Sequence, residues 1–246
     1  MMLDTVTRVD RRPFESLGHA DHGWLDARHH FSFSGYHDPD RMGWGAIRVW
    51  NDDVIAPNSG FPPHPHRDME IITYVRTGAI THEDSMGNRG RTAAGDVQVM
   101  SAGSGVRHAE FNVETEPTTL FQIWIEPTTR GGEPNWGARP FPKDDRSGRL
   151  TVLASGFAED ADALPIRAEA RVMAATLKAG ESVTHRVGEG RHAYLVPATG
   201  AVEVGPGSGS GTGGVRIEAR DGAALSTGEV LITALADAEI VLVDAR

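Results

Sequence analysis

Residues 74–80 read Tyr-Val-Arg-Thr-Gly-Ala-Ile, and residues 196–202 read Val-Pro-Ala-Thr-Gly-Ala-Val. The two heptapeptides match around Gly78 and Gly200. A second pair of segments follows them, Ala94-Gly-Asp-Val-Gln-Val in the first half and Thr227-Gly-Glu-Val-Leu-Ile in the second. Self-similarity of this kind indicates a duplicated structural unit. The chain is therefore interpreted as two copies of one β unit.

The spacing between the matched glycines differs between the two copies. Gly95 lies 17 residues after Gly78, whereas Gly228 lies 28 residues after Gly200. Residues 205–214 account for nearly all of the difference of 11 residues, and they consist of glycine, serine, threonine and one proline. Such a tract is too poor in side chains to pack, so it is predicted to be a flexible hairpin tip.

Short runs rich in β-branched and aromatic residues recur along the first half, each bounded by Gly, Pro, Asn or Ser. This pattern is typical of strands rather than helices. The predicted strands are Trp44–Trp50, Met69–Arg76, Ala79–Glu83, Asp96–Met100, His108–Val113 and Thr119–Ile125. We predict an all-β fold, an antiparallel sandwich or barrel, with the Pro- and Gly-rich residues 126–142 as the linker to the second copy.

The composition limits the possible partners and chemistry. The 246-residue chain has 24 Lys and Arg against 34 Asp and Glu, a formal charge of −10, so direct binding of nucleic acid is not expected. It has no cysteine, so any metal must be held by His, Asp or Glu. Neither a run of 18 apolar residues nor a secretory signal pattern is present, and we expect a cytoplasmic protein that does not enter the membrane.

Two pairs of alternating side chains in the first copy, His64-Pro-His66 and His108-Ala-Glu110, are candidates for a metal site. Residues i and i+2 of a strand point to the same face of a sheet, so two such pairs on neighbouring strands can converge on one cation. Three imidazoles and one carboxylate suit Fe, Mn, Co, Ni, Cu or Zn without choosing among them. Pro65 removes a backbone donor, which places its pair at a strand start, an edge or a bulge.

The surroundings of these pairs carry further motifs. The blocks are His64–Glu70, Asp84–Gly90, Gly95–Gln98, Met100–Asn112 and Gln122–Pro127, with His30–Phe33, Gly45–Val49 and Asn51–Asp53 upstream. Together they resemble the pirin family of the cupin superfamily, especially its bacterial flavonol-oxidising branch. The likeness covers most of residues 20–137 and continues more loosely to the C-terminus. It implies a bicupin of two antiparallel β-barrel (jelly-roll) domains, with a metal-binding cupin at 1–140 and a second cupin without metal ligands at 141–246.

The resemblance also implies the ligands and the metal. In this family an H-x-H pair and an H-x-E pair hold one metal, which carries over to His64, His66, His108 and Glu110. Glu70, whose counterpart is a ligand in many other cupins, is assigned no such role. The implied cofactor is one divalent transition metal, with iron expected first and nickel, cobalt, manganese, copper or zinc as alternatives.

The second copy lacks such a site by the same alignment. The positions of the four ligands fall on Arg186, Gly188, Val241 and Val243, none of which completes it. The histidines of this half, His185 and His192, are interpreted as surface or packing residues.

Two other histidine-containing segments are given structural interpretations. The segment His82-Glu83-Asp84 lies beside a hairpin and is interpreted as a solvated turn. His29, His30, Phe31 and Phe33 could touch a substrate, but the segment is interpreted as an alternating aromatic strand that packs in the core.

The resemblance implies cleavage of a flavonol such as quercetin by dioxygen, with release of carbon monoxide. A small phenolic molecule and O2 are then the partners, and Glu110 is the candidate base that takes the proton of the flavonol 3-hydroxyl. A second hypothesis is a metal-binding regulatory protein that acts through protein partners, which the sequence does not identify, without turning over a flavonol. A third keeps the fold and the metal but makes another enolisable phenol the substrate.

Overall fold

The structure is a computed structural model that describes residues 8–207 and 213–246. It is almost entirely β, as the sequence predicts. Of the predicted hairpin tip, residues 208–212 lie outside the described residues. None of the helices in the described ranges combines the length and the apolar character that a membrane crossing needs.

Many of the strands follow one another through short turns, and longer segments connect others, such as β3 to β4. The first twelve are Val9–Arg12 (β1), Gly18–Asp21 (β2), Leu25–His29 (β3), Ile47–Ile55 (β4), Ser59–His66 (β5), Glu70–Thr77 (β6), Ala79–Asp84 (β7), Arg89–Ala93 (β8), Val97–Ser101 (β9), Val106–Asn112 (β10), Thr118–Ile125 (β11) and Asn135–Arg139 (β12). They are followed by Thr151–Ser155 (β13), Leu164–Pro165 (β14), Ala170–Leu177 (β15), Ser182–Val187 (β16), His192–Thr199 (β17), Val202–Pro206 (β18), Val215–Ile217 (β19), Gly222–Leu225 (β20), Gly228–Ala234 (β21) and Ala238–Ala245 (β22). Short 3-10 helices span Phe14–Ser16, Pro39–Arg41 and Lys143–Arg146.

Five of the six predicted strands agree with observed strands to within about two residues, and the sixth is displaced. The strand predicted from Trp44 begins three residues later as β4 and continues to Ile55. The cause is a tight turn, in which the backbones of Trp44 and Ile47 hydrogen-bond to each other and Gly45 has a positive φ of 56°.

Contacts within the chain define two compact units. The N-terminal unit consists of residues 18–142 and 153–169, and the C-terminal unit consists of the described residues of 1–17, 143–152 and 170–246. Each unit contains most of one predicted copy. The division of the chain into domains at residue 140 stays a prediction.

The N-terminal unit has two antiparallel sheets. Its seven-stranded sheet has the order β12-β9-β6-β11-β4-β3-β2, and its four-stranded sheet has the order β5-β10-β7-β8. Strand β5, which contains Pro65, lies at the edge of the smaller sheet, as the missing donor requires. The predicted linker at 126–142 is only partly irregular, because its residues 135–139 form β12 and pair with β9.

The C-terminal unit repeats this arrangement. Strands β1, β20, β17, β22 and β15 are successive neighbours in one sheet, and β16, β21, β18 and β19 form the other. The turns after β6 and β17 both contain a glycine with φ near 74°, at Gly78 and Gly200. The alignment of these two glycines is therefore correct, and the β6-β7 hairpin corresponds to the β17-β18 hairpin.

The alignment of Gly95 with Gly228 is wrong. Strand β9 pairs with β6 and β20 pairs with β17, so the turn at Gly95, just before β9, corresponds to the turn just before β20. That turn contains Arg220, which also has a positive φ, of 70°. Gly228 instead begins β21, which lies between β16 and β18 as β10 lies between β5 and β7.

The corrected register changes the counterparts of the predicted ligands. In the first unit His108 pairs with His64, and Glu110 pairs with His82. At the corresponding positions of the second unit Val230 pairs with His185, and Ile232 pairs with Val204. The counterparts of His64, His66, His108 and Glu110 are therefore His185, Val187, Val230 and Ile232, rather than Arg186, Gly188, Val241 and Val243. One imidazole and three aliphatic side chains do not make a metal site. His185 instead contacts the Asp244 carboxylate, with 2.6 Å between its Nε2 and Oδ2.

Candidate metal centre

Strand β10 is the central element of the candidate site. His108 lies opposite His64 of β5 on one side and opposite Asp84 of β7 on the other. Glu110 lies two residues further along the same strand, opposite His82 of β7. Alternation along a strand places His108 and Glu110 on one face, so the three strands bring all these side chains to one side of the small sheet.

Three of the four predicted ligands form a compact group. One ring nitrogen from each of His64, His66 and His108 lies within 4.8 Å of the other two. The Nε2 atoms of His64 and His108 are 3.1 Å apart. Metal–nitrogen bonds of about 2.0–2.1 Å at tetrahedral or octahedral angles require nitrogen atoms about 2.9–3.4 Å apart. The His64–His108 pair therefore has the separation that a shared divalent transition metal needs, and a ring nitrogen of His66 lies within 4.8 Å of both.

The hydrogen bonds of His64 are consistent with a ligand role. Its Nδ1 lies 2.8 Å from the carbonyl oxygen of Pro62. A carbonyl oxygen can only accept, so Nδ1 carries the proton and donates it, which leaves a lone pair on Nε2. That lone pair is on the side where His108 approaches.

Burial keeps two of the imidazoles neutral. Desolvation, followed by the neighbouring imidazole of His64, lowers the pKa of His66 to about 4. Desolvation, followed by the neighbouring histidines, lowers the pKa of His108 to about 2. A neutral imidazole has a lone pair for a metal, so these two ligands need not lose a proton at neutral pH before binding.

The fourth predicted ligand, Glu110, is in a different hydrogen-bonding environment. Its side chain is buried, and its Oε1 accepts from Gln98 Nε2 at 2.7 Å and from the Thr73 hydroxyl at 3.2 Å. Its Oε2 accepts from Gln122 Nε2 at 2.7 Å. These donors come from the large sheet, whereas Glu110 belongs to the small one. The carboxylate thus connects the two sheets and is held in a fixed orientation.

Desolvation raises the pKa of Glu110, opposed by the nearby imidazoles and the hydrogen bonds. A carboxylate with a raised pKa is a stronger base than an exposed one. In the structure Glu110 belongs to a second potential metal-binding group, with His82 and His108, rather than to the group formed by the three predicted histidines. His108 is common to both groups.

The interpretation of His82 and Asp84 as a solvated turn is wrong. The His82 ring is fully buried and stacks on Trp136 with 4.9 Å between ring centroids and 8° between planes. The sequence carries a signal that could have located His82, because Ile80, His82 and Asp84 alternate along one strand and Ile80 is a core residue. A histidine in phase with a core residue points inward.

Glu70 takes part in neither group of potential ligands among the described residues. Its Oε2 accepts a hydrogen bond from the Ser101 hydroxyl at 2.5 Å, which occupies the carboxylate elsewhere. The assignment of Glu70 as a residue without a ligand role stays a prediction.

A cavity of about 310 Å³ lies in the same unit. Aromatic side chains in its lining include Trp24, Phe33 and Phe61, and polar ones include Asp53 and Gln122. None of the four predicted ligands lines it, but two of its lining residues lie next to them: Gln122 donates to Glu110, and the ring of Phe61 lies 6.1 Å from that of His64. This volume is at the lower end of the range in which proteins bind small molecules.

The segment from His29 to Phe33 is only partly the core strand that the sequence predicts. His29, His30 and Phe31 are buried, as expected. His29 and Phe33 also line the cavity, and the Nδ1 of His29 lies 2.8 Å from Asn51 Oδ1. These two residues are among those that the sequence offered as possible substrate contacts, although a core strand was the preferred interpretation.

Comparison with known proteins gives matches over almost the whole chain. The Pirin family model matches residues 10–125, and the Quercetinase C-terminal cupin domain matches residues 152–245. A Pirin-like protein of Caulobacter vibrioides is 66% identical over 96% of this chain and 99% of its own length. A Quercetin 2,3-dioxygenase of Escherichia coli K12 is 40% identical over 95% of this chain and 96% of its own.

Solved structures agree with these matches. The bacterial pirin YhhW of Escherichia coli in complex with nickel(II) superposes with a TM-score of 0.87, at 37% identity, over 97% of this chain and 99% of that one. The matched pair of domains confirms the predicted bicupin fold. The chain therefore belongs to the pirin family.

Proposed function

We propose that the N-terminal unit is a metal-dependent dioxygenase that cleaves a flavonol-like phenol with O2 and releases carbon monoxide. The observation that carries the proposal is a group of three converging imidazoles beside a cavity with aromatic walls. The Escherichia coli relative that is named a quercetin 2,3-dioxygenase supports the substrate class.

His64, His66 and His108 would hold the metal, with Glu110 as the fourth ligand. When bound, a divalent metal would lower the pKa of a coordinated hydroxyl and stabilise the resulting oxyanion. The chain contributes neutral imidazoles already gathered by two paired strands. Iron is our first candidate, and the nickel complex of YhhW keeps nickel among the alternatives.

Glu110 would accept the proton of the substrate's enolic hydroxyl. Each of its oxygens has two lone pairs, and its three donors leave a single lone pair on Oε2, so Glu110 would act as metal ligand and as proton acceptor in turn, not at the same time. Gln98 and Gln122 hold the carboxylate in place, so it would need little reorganisation before the proton moves.

The cavity would hold the aromatic rings of the substrate. Trp24 and Phe61 meet edge to face with 5.0 Å between ring centroids and form a rigid apolar wall. Asp53 provides a polar group on another part of the lining. Desolvation, with a further effect of the nearby carboxylates Asp52 and Glu110, raises the pKa of Asp53 well above its usual range. In its neutral form Asp53 can donate a hydrogen bond to a phenolic oxygen or a carbonyl.

The test is turnover of quercetin by protein that has been reconstituted separately with Fe, Ni, Co, Mn and Cu. Turnover is monitored, with and without air, as the loss of the visible absorbance of quercetin and the release of carbon monoxide. We expect oxygen-dependent turnover that falls by about 100-fold or more in Glu110→Gln, the range typical for loss of a general base. Glu70→Gln is the matched control because it changes another buried carboxylate outside both groups of potential ligands, and it should stay within a few-fold of wild type.

Metal content is measured on the same samples. If metal-loaded wild type consumes neither quercetin nor other enolisable phenols, the dioxygenase proposal is wrong and the regulatory hypothesis gains support. If Glu110→Gln turns over as fast as wild type, Glu110 is not the base.

A further inference from the structure

His82 connects a carboxylate to one of the proposed metal ligands. Its Nε2 lies 3.1 Å from Asp84 Oδ2, and its Nδ1 lies 3.4 Å from the Nδ1 of His108. The His82 ring is fully buried and stacked on Trp136, so it has little freedom to turn. The other nitrogen of His108 is the one that lies 3.1 Å from His64 Nε2.

When His82 and His108 are both neutral, the chemistry of the donors fixes where the protons are. An ionised carboxylate can only accept, so the Nε2 of His82 must carry a proton to bond with Asp84. The Nδ1 of neutral His82 is then a lone pair, and the proton between the two rings belongs to Nδ1 of His108. Neutral His108 consequently has its lone pair on Nε2, where it faces the lone pair of His64 Nε2 at 3.1 Å, so a metal ion rather than a proton would bridge these two atoms.

We propose that Asp84 and His82 are positioning residues that hold His108 in the tautomer and ring orientation required to bind a metal through Nε2. The inference rests on the proposed metal site and does not depend on flavonol turnover. Hydrogen bonds from outer partners to metal-ligating histidines generally fix the ring and raise its basicity. Here the carboxylate acts through an intervening imidazole.

The inferred proton positions also bear on whether His82 can be a ligand within the second potential group, which consists of His82, His108 and Glu110. In the inferred tautomer both nitrogens of His82 are engaged, one donating to Asp84 and the other accepting from His108. His82 therefore has no lone pair left for a metal, although it is close to His108 and Glu110. A direct ligand role for His82 is the competing outcome.

Asp84→Asn tests the inference with little change in shape. Asp84 Oδ1 accepts from the backbone N–H groups of Met86 and Asn88 at 2.9 and 3.0 Å, and an asparagine oxygen can keep both bonds. The new amide group in place of Oδ2 donates towards His82, which moves the His82 proton to Nδ1. His108 must then accept at Nδ1 and carry its own proton on Nε2, where the metal would bind.

Asn88→Ala is the matched control. Asn88 Nδ2 also donates to Asp84 Oδ2, at 2.9 Å, and the alanine removes that bond while leaving the carboxylate and His82 in place. If Asp84→Asn does not fold, His82→Phe replaces it, because phenylalanine keeps a ring on Trp136 but removes the acceptor for His108.

Two measurements decide the outcome. Nitrogen-15 NMR of the metal-free protein should show the proton of His108 on Nδ1 in wild type and Asn88→Ala, and on Nε2 in Asp84→Asn. Nickel or cobalt affinity, measured by competition with a chromophoric chelator, should fall about 10- to 100-fold in Asp84→Asn or His82→Phe and stay within about threefold in Asn88→Ala.

A wild-type His108 protonated on Nε2 would overturn the inference, and so would unchanged tautomers and affinity in Asp84→Asn. Loss of metal binding in His82→Phe as complete as in a variant lacking His108, with unchanged binding in Asp84→Asn, would identify His82 as a ligand instead. Wild-type protein that binds no metal would refute the proposed metal site, while the NMR result would still decide the tautomer.

Discussion

The two units have corresponding strands with opposite interiors. In the N-terminal unit the central strand β10 presents His108 and Glu110, and Glu110 lies opposite His82 on β7. In the C-terminal unit β21 presents Val230 and Ile232 at the corresponding positions, and Ile232 lies opposite Val204. Both aliphatic residues are fully buried in a continuous apolar core.

The difference shows that the fold does not depend on what lies between the sheets. Backbone pairing and turns are shared, whereas the enclosed side chains are free to be apolar or polar. A polar interior requires partners, and Glu110 has them in Gln98, Gln122 and Thr73. The C-terminal unit therefore has the same strand arrangement with apolar residues at the positions of the predicted ligands, which agrees with the general separation of fold from function.

Exchanging residues between the corresponding positions should have the largest effect. His108→Val gives β10 the residue of β21 and should weaken metal binding by more than about 100-fold, beyond the usual cost of losing an outer partner. The fold should persist because valine suits a buried strand. Metal content and circular dichroism check both statements, and metal retained at wild-type affinity would exclude His108 as a ligand.

The reverse exchange is the control for this prediction. Val230→His places an imidazole in the apolar core of the C-terminal unit, where burial of an unpaired polar group costs about 3 kcal/mol. Urea denaturation measures the change. A variant that loses no stability would show that this core accommodates polar groups as readily as the N-terminal unit does.

Acidification should lower the free energy of unfolding through the buried histidines of the N-terminal unit, and this effect should be smaller than that of the residue exchanges. The pKa of His108 is lowered to about 2 in the folded protein, whereas an unfolded chain takes up this proton near pH 6.5. Below pH 6.5 the unfolded state therefore binds a proton that the folded state does not, so stability falls on acidification. The slope for one such fully buried group is about 1.4 kcal/mol per pH unit.

The measurement is urea denaturation of metal-free protein between pH 7 and pH 4.5. His66, with its pKa lowered to about 4, adds to the same trend in the same direction. His108→Val should lose stability less steeply than wild type over this range. Parallel curves for the two proteins would contradict the pKa shift of His108.

The smallest expected effect is the difference in stability between alanine variants of the two matched turn glycines, Gly78 and Gly200. Alanine at Gly78 or Gly200 would be forced into the left-handed region, at about 1–2 kcal/mol. A Cβ at Gly200 would also lie 2.3 Å from the backbone oxygen of Asp237, whereas at Gly78 the closest atom, at 2.5 Å, is the side-chain oxygen of Thr118. A side chain can move more easily than backbone. Gly200→Ala should therefore lower the melting temperature more than Gly78→Ala, and the opposite order would contradict this reasoning.

The all-β class, the duplication around Gly78 and Gly200, and three histidines that form one group could all be predicted before the fold was known. Strand periodicity and paired donors are local features, and local features are visible in a sequence. Pro65 limited its pair of histidines to a strand start, an edge or a bulge, because proline lacks the backbone donor, and the structure selects the edge.

The pairing of neighbouring strands could be established only from the folded chain. The register of β21 against β16 and β18 corrected the counterparts of the ligands, because a short Gly-acid-Val match at Gly228 is weaker evidence than a hydrogen-bonded ladder. It also revealed that His82 is buried between Trp136 and His108. Contacts between residues far apart in the chain depend on sheet pairing and burial, and neither is encoded in the spacing of a single motif.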